Sequence, residues 1–255
     1  MDSLYIVMPA YNEEANIKEV VEAWYPILEN KDKKSRLIIA DSGSTDKTHS
    51  ILEELKESLP NIEILSETDK QHGPKLIAMY DHAIKNDIDY IFQTDSDGQT
   101  NPAEFEAFWN LRNQYDVILG NRQKRGDGKV RAFVELIVCF LLKLYFGIKV
   151  PDANAPFRLM KTDVVGKYLY KLPQTYNIPN IMMTTYFVHY SERVRFMPIS
   201  FMSRKKGKNS VNMPRIIKTG LKALNDFGIF KRDMRVQRGF GGEINGYGTK
   251  DQIQL

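Results

Sequence analysis

Residues 90–99 read Tyr90-Ile91-Phe92-Gln93-Thr94-Asp95-Ser96-Asp97-Gly98-Gln99. An apolar, aromatic run that breaks abruptly into carboxylates predicts a buried strand ending in a polar loop. Asp95, Asp97 and Gln99 place three oxygen-bearing side chains together at that strand's carboxyl end. Such a set suits a hard divalent cation, Mn²⁺ or Mg²⁺, which keeps open positions for water and phosphate oxygens. The plain alternative is a turn, because Asp and Gly favour turns for local reasons.

Outward from this stretch the first half of the chain alternates. Strands are predicted at 4–8, 36–40, 62–66, 90–94 and 116–120, and helices at 13–28, 47–57, 74–85 and 102–113. Ser44 or Thr45 is placed to cap the second helix, and Asp46 is read as a cap rather than a ligand. Strands alternating with helices require crossover connections. The fold class expected is α/β, a doubly wound, mostly parallel sheet with helices on both faces, plus C-terminal amphipathic helices. Ligands of such sheets sit beyond the carboxyl ends of the strands. Three polar stretches fall there: Pro9-Ala10-Tyr11-Asn12-Glu13-Glu14, Asp41-Ser42-Gly43-Ser44-Thr45-Asp46, and Asp95-Ser96-Asp97.

The second half differs in charge. Residues 1–120 carry 11 Lys and Arg against 23 Asp and Glu, a balance of −12, and the remainder carries 25 against 9, a balance of +16. A basic half faces something anionic. Residues 130–148 are strongly apolar, but Glu135 and Lys143 interrupt the run. A span needs about 20 predominantly apolar residues, so an interfacial or buried helix is expected. Residues 214–230 form a second amphipathic stretch, and Arg204-Lys205-Lys206-Gly207-Lys208 a basic loop meant for anionic lipid. Residues 233–255 read as a disordered tail after a domain spanning 1–232, its halves 1–120 and 121–232. Trp24 and Trp109 read as core. One cysteine, Cys139, excludes an internal disulfide, and the four histidines show no zinc spacing. No basic-then-apolar leader is seen at the N-terminus.

These motifs resemble those of family 2 glycosyltransferases with the GT-A fold. The resemblance rests on residues 7–14, 41–46 and 95–99 in order, and covers roughly residues 1–232. Gln99, Gly120-Asn121-Arg122 and Asp152-Ala153-Asn154-Ala155-Pro156-Phe157-Arg158 are most similar to the polyprenyl- and dolichyl-phosphate sugar transferase branch. The resemblance implies an inverting, metal-dependent hexosyltransferase. Pro9, Tyr11 and Glu13 would line the nucleotide pocket, and Asp41 would accept a hydrogen bond from a uracil or guanine N–H. Lys75 would lie beside the donor, and Asp95, Asp97 and Gln99 at the metal and diphosphate. Asp97, Asp152 and Arg122 are the catalytic candidates. Family members acting on hydroxyls often carry a Glu-Asp pair after the metal motif, and this chain has none. A phosphate acceptor is already ionised and needs cation pairing, for which Arg is suited. Arg122, Arg131 and Arg158 are the acceptor-binding candidates.

The expected partners are a nucleotide-sugar, a lipid-phosphate or glycan acceptor and an anionic membrane surface, at the cytoplasmic face of a membrane. Homo-oligomerisation is left open. The runner-up is a hydroxyl-directed transferase with Asp152 as general base. A nucleotidyltransferase is disfavoured because residues 8–14 hold no glycine. A dehydrogenase is disfavoured because no Gly-x-Gly-x-x-Gly follows the first strand. A non-enzymatic membrane- or nucleic-acid-binding module would explain the basic half but not three acidic motifs at strand ends. Nucleic acid is therefore not an expected partner.

Overall fold

Residues 90–93 do form a strand, and the sheet is built around its pairing with the first. A computed structural model describes residues 1–126, 128–204, 206 and 213–240. Strands β1 (Leu4–Ala10), β2 (Arg36–Asp41), β3 (Ile62–Leu65), β4 (Tyr90–Gln93), β5 (Val117–Arg125), β6 (Arg158–Lys161) and β7 (Val194–Phe201) form one sheet. Its order is β3-β2-β1-β4-β6-β5-β7. β1 pairs in parallel with β2 and β4, β2 with β3, and β5 with β7. β6 runs antiparallel to both β4 and β5.

The period of two along a strand decides which face each side chain joins. Tyr5 and Val7 of β1 pack on one face, beneath α3 (His72–Lys85), α6 (Thr162–Leu169) and α7 (Pro179–His189). Leu4, Ile6 and Met8 pack on the other, beneath α1 (Ile17–Trp24), α2 (Thr48–Ser58) and α4 (Phe105–Trp109). Helices on both faces explain why the strands are apolar almost continuously rather than alternating. Trp24 and Trp109 are both core residues, as expected.

Several boundaries shift for local reasons. The predicted helix 102–113 is shorter. Asn101 caps a 3₁₀ turn over Pro102–Glu104, α4 covers Phe105–Trp109, and Leu111 and Arg112 then make i→i−3 bonds. At α2, Asp46 accepts from the Thr48 N–H, at 3.0 Å, in place of Ser44 or Thr45. β6 and β7 were not foreseen, since β6 is four residues long and begins and ends on a basic residue.

Helix α5 (Lys129–Phe146) ends at Gly147, whose φ of 73° is a left-handed cap. Glu135, Leu142 and Phe146 face inward. Glu135 is buried while Val130, Phe133, Leu136, Ile137, Phe140 and Leu144 are 43 to 66% exposed. Helix α8 (Met213–Phe240) behaves differently from the expectation for 214–230. Phe227, Phe230 and Met234 are buried, and Phe227 and Phe230 meet Tyr145, Phe146, Tyr176 and Tyr186 of the neighbouring elements. A face that packs on protein is not available to lipid. The helix also overruns the expected start of the tail at 233, and residues 241–255 lie outside the described residues. No described helix is long and apolar enough to cross a membrane.

Candidate active site

The carboxyl ends of β1 and β4 lie side by side at the centre of the sheet, with β2 beyond β1. Their loops are tied together: Ser96 Oγ donates to the Pro9 carbonyl at 2.8 Å. Gly98 holds φ of 72°, a left-handed conformation that turns the loop sharply after Asp97. Gly73 allows a second close approach. A Cβ there would lie 2.3 Å from the Tyr176 carbonyl oxygen, so the start of α3 packs directly on backbone.

Above these loops opens a cavity of about 300 Å³. Pro9, Tyr11, Glu13, Lys75, Asp95, Asp97, Gln99, Arg122 and Arg131 all line it, so the fold brings together nine of the twelve sequence candidates. The other three, Asp41, Asp152 and Arg158, do not line it.

At the charged end Asp95 and Asp97 stand one residue apart. Burial and the neighbouring Asp95 push the Asp97 carboxyl up to about 7. The two carboxylates repel each other, and Arg204 offsets that repulsion only in part. Gln99 Nε2 donates to the Met202 carbonyl at 2.6 Å, which leaves its Oε1 free to accept or to ligate. His72 Nε2 lies 3.4 Å from Asp95. Among the described residues no three of His, Cys, Asp and Glu converge as a complete metal cage. The donor set is thus two carboxylates and an amide, the kind that Mg²⁺ or Mn²⁺ completes with water and substrate phosphates.

The raised Asp97 value has a thermodynamic consequence. Its folded-state pKa lies above the ordinary carboxylate value, so the metal-free fold loses stability as pH rises from about 4 to about 7. A cation would take the place of the proton. The rise in melting temperature produced by Mn²⁺ should therefore be larger at pH 8 than at pH 5.5. Equal shifts at the two pH values, measured by scanning fluorimetry, would mean that Asp97 is not where the ion binds.

Lys75 is fully buried rather than exposed. Its Nζ donates to the Ala10 carbonyl at 2.6 Å and the Ser42 carbonyl at 3.0 Å, stapling the ends of β1 and β2. Burial lowers its pKa to about 8, opposed by Asp41 and Asp69. The exposed ring of Tyr11 lies 5.5 Å from the same ammonium. Glu13 Oε2 is 2.5 Å from Arg204 Nη2.

Three residues stand elsewhere than expected. Asp41 is buried, with one oxygen accepting from Ser44 Oγ at 2.5 Å and the other 3.2 Å from His49 Nδ1. Each oxygen thus has one protein neighbour and a further lone pair. Arg158 is fully buried and donates to the carbonyls of Ala155, Asn180 and Ala153 at 2.8, 3.0 and 2.7 Å. All three guanidinium nitrogens are committed, so it does not reach an acceptor. Burial lowers its pKa to about 10, which leaves it charged. Asp152 holds Arg122 in a two-pronged pair, at 2.7 and 2.8 Å. Burial raises its pKa, but the Arg122 hydrogen bonds outweigh that and hold it below the usual range. A buried carboxylate with a lowered pKa is a poor general base.

Arg122 also reaches Glu135 of α5 at 3.2 Å, so two carboxylates face its one positive charge. Arg131 has no hydrogen bond or ion pair among the described residues. Sequence reasoning missed Lys70, His72, Asn154, Asn180, Phe201 and Arg204, which also line the cavity. Arg204 was expected to face lipid, but it pairs with Glu13 and lines the cavity. Lys206 of the same basic loop pairs with Glu19, while Lys205, Gly207 and Lys208 lie outside the described residues.

Comparison with known proteins agrees with this geometry. A sequence profile described as "Glycosyl transferase family 2" matches residues 5–169. An undecaprenyl-phosphate 4-deoxy-4-formamido-L-arabinose transferase from Edwardsiella ictaluri is 24% identical over 88% of this chain and 70% of its own length. A protein of the same name from Shewanella sediminis is 27% identical over 66% of this chain. The aligned part is 51% of that protein's length, so this chain spans about half of it. A solved structure of glucosyl-3-phosphoglycerate synthase from Mycobacterium tuberculosis, in complex with Mn²⁺, UDP-glucose and phosphoglyceric acid, superposes with a TM-score of 0.62. It is 16% identical, over 88% of this chain and 80% of that one. The likeness is one of fold, which is GT-A.

Proposed function

This chain belongs to glycosyl transferase family 2, and we propose that it moves a sugar from a UDP- or GDP-linked donor to a polyprenyl-phosphate-type lipid. The observation that carries the proposal is the junction of cavity and helix. Arg131, in the first turns of α5, lines the cavity, and the outer face of the same helix is apolar and exposed.

Asp95, Asp97 and Gln99 Oε1 would hold the cation. A bound Mn²⁺ or Mg²⁺ neutralises the charge that develops on the departing nucleoside diphosphate. A relative in fold was crystallised with Mn²⁺ and a nucleotide-sugar, which supports a divalent ion here. Tyr11 and Pro9 form the nucleotide end of the wall. At the other end Arg131 orients an acceptor phosphate. A phosphate oxygen forms the new bond to the anomeric carbon as the bond to the donor diphosphate breaks, and that electron pair leaves with the nucleoside diphosphate. Attack opposite the leaving group inverts the configuration. No proton is removed from the nucleophile, so no general base is needed.

The hydroxyl-directed alternative needs Asp152 as its base, and the two-pronged pair with Arg122 keeps that carboxylate out of the cavity. The lipid reading is supported further by charge. The one carboxylate of α5 is buried, so every exposed charge on the helix is basic. An apolar face edged by lysines matches an anionic surface such as the cytoplasmic leaflet.

Arg131→Ala should raise the KM for a short polyprenyl phosphate while leaving the donor KM unchanged. Loss of a hydrogen bond to a charged group costs about 1.5–3 kcal/mol, or roughly 10- to 150-fold. An unchanged acceptor KM in steady-state kinetics would remove Arg131 from the acceptor site.

A further inference from the structure

Behind Asn180 in the cavity wall lies a buried polar network. Asn180, second residue of α7, is 2% exposed yet lines the cavity. Its side-chain oxygen is 3.3 Å from Tyr80 Oη, which is 2.5 Å from the Gln93 side-chain oxygen. Tyr80 and Gln93 are fully buried, and Gln93 Nε2 has no partner. Burial keeps the Tyr80 phenol protonated. A phenol has one proton, so it donates to one amide oxygen only. Turning the Gln93 amide over resolves the conflict at Tyr80. Gln93 Nε2 then donates to Tyr80 Oη, and the Tyr80 proton goes to Asn180 Oδ1. The chain of donors ends at Asn180 Nδ2, which has no protein partner among the described residues.

Arg158 fixes this arrangement from behind. It ties the Asn180 carbonyl to those of Ala153 and Ala155, which flank the wall residue Asn154. These three hydrogen bonds hold the wall backbone at Asn154 and Asn180 in one place. The charged groups that also line the cavity suit a cation and phosphates. A neutral N–H held rigidly in the wall suits an oxygen on an uncharged ring.

We infer that Asn180 is a specificity residue of this enzyme, its Nδ2 donating to an oxygen substituent of the transferred sugar. The inference rests on the nucleotide-sugar reading and adds which group reads the sugar. The experiment uses UDP-glucose and GDP-mannose, whichever the wild-type protein turns over, with the monodeoxy analogues of that sugar and the free nucleoside diphosphate. Asn180→Ala should lower kcat/KM for the full sugar about 3- to 10-fold, the size of one neutral hydrogen bond. One monodeoxy donor should show the same loss with the wild-type enzyme and no further loss with the variant. Nucleoside diphosphate affinity, by calorimetry with Mn²⁺, should stay within twofold. Equal weakening of the free diphosphate, or additive losses for every deoxy donor, would overturn the inference. Failure of the functional reading would look different, as absence of diphosphate binding in the wild-type protein itself.

Discussion

Asp97→Asn should abolish transfer without harming the fold. Removing a carboxylate that holds the cation forfeits several kcal/mol of transition-state stabilisation, roughly a thousandfold or more in turnover. The same change removes a charge that burial and Asp95 disfavour. At pH 8 and without metal the variant should therefore melt no lower than the parent, and Mn²⁺ should raise its melting temperature less. These two readouts separate loss of the ion from loss of structure. A variant with parental turnover, assayed with and without chelator, would show that Asp97 takes no part in the chemistry.

The second large effect concerns the outside of α5. Phe133 and Phe140 are 63 and 64% exposed, so changing both to Asp costs little packing within the fold. Each phenyl ring withdrawn from lipid forfeits about 1.5–3 kcal/mol. The double variant should bind anionic vesicles at least 100-fold more weakly in a sedimentation assay, the lower limit of that sum. Turnover with a short, soluble polyprenyl phosphate should remain near parental. Salt should loosen the parent in part only, because each basic residue near the surface contributes about 1 kcal/mol and the apolar contact is not screened. Parental binding of the double variant would move the interface elsewhere and leave α5 for another partner.

The alternation of apolar runs and helical stretches was enough to place β1 to β4, because each is a run closed by turn residues. β6 was not legible, since Arg158-Leu159-Met160-Lys161 has basic ends and takes its strand character from β4 and β5 on either side. β7 was obscured by Arg195 and Pro198, which break its apolar run. Helix α5 shows a different limit. Its charged stripe was visible, but which stripe faces inward is a tertiary fact, and here Glu135 turns in to meet Arg122.

The site divides in the same way. Asp95, Asp97 and Gln99 lie within five residues, so local sequence placed them together. Arg204, three residues beyond β7, and Asn180 of α7 also line the cavity, and nothing in their neighbours announced it. Asp41 was legible as a carboxylate at a strand end, and Asp152 and Arg158 only through the resemblance carried by residues 152–158. Their burial and their partners, Ser44 with His49, Arg122, and three carbonyls, depend on the finished fold.

The most direct test of sugar transfer to a lipid phosphate is nucleoside diphosphate release from UDP- and GDP-sugars. Each donor would be assayed with Mn²⁺, with and without a short polyprenyl phosphate, and the lipid product identified by mass spectrometry. The structure predicts release from one donor class that requires both the ion and the lipid phosphate, with a glycosylated lipid phosphate as product. Release that is indifferent to the lipid phosphate but stimulated by a sugar-hydroxyl acceptor would contradict it.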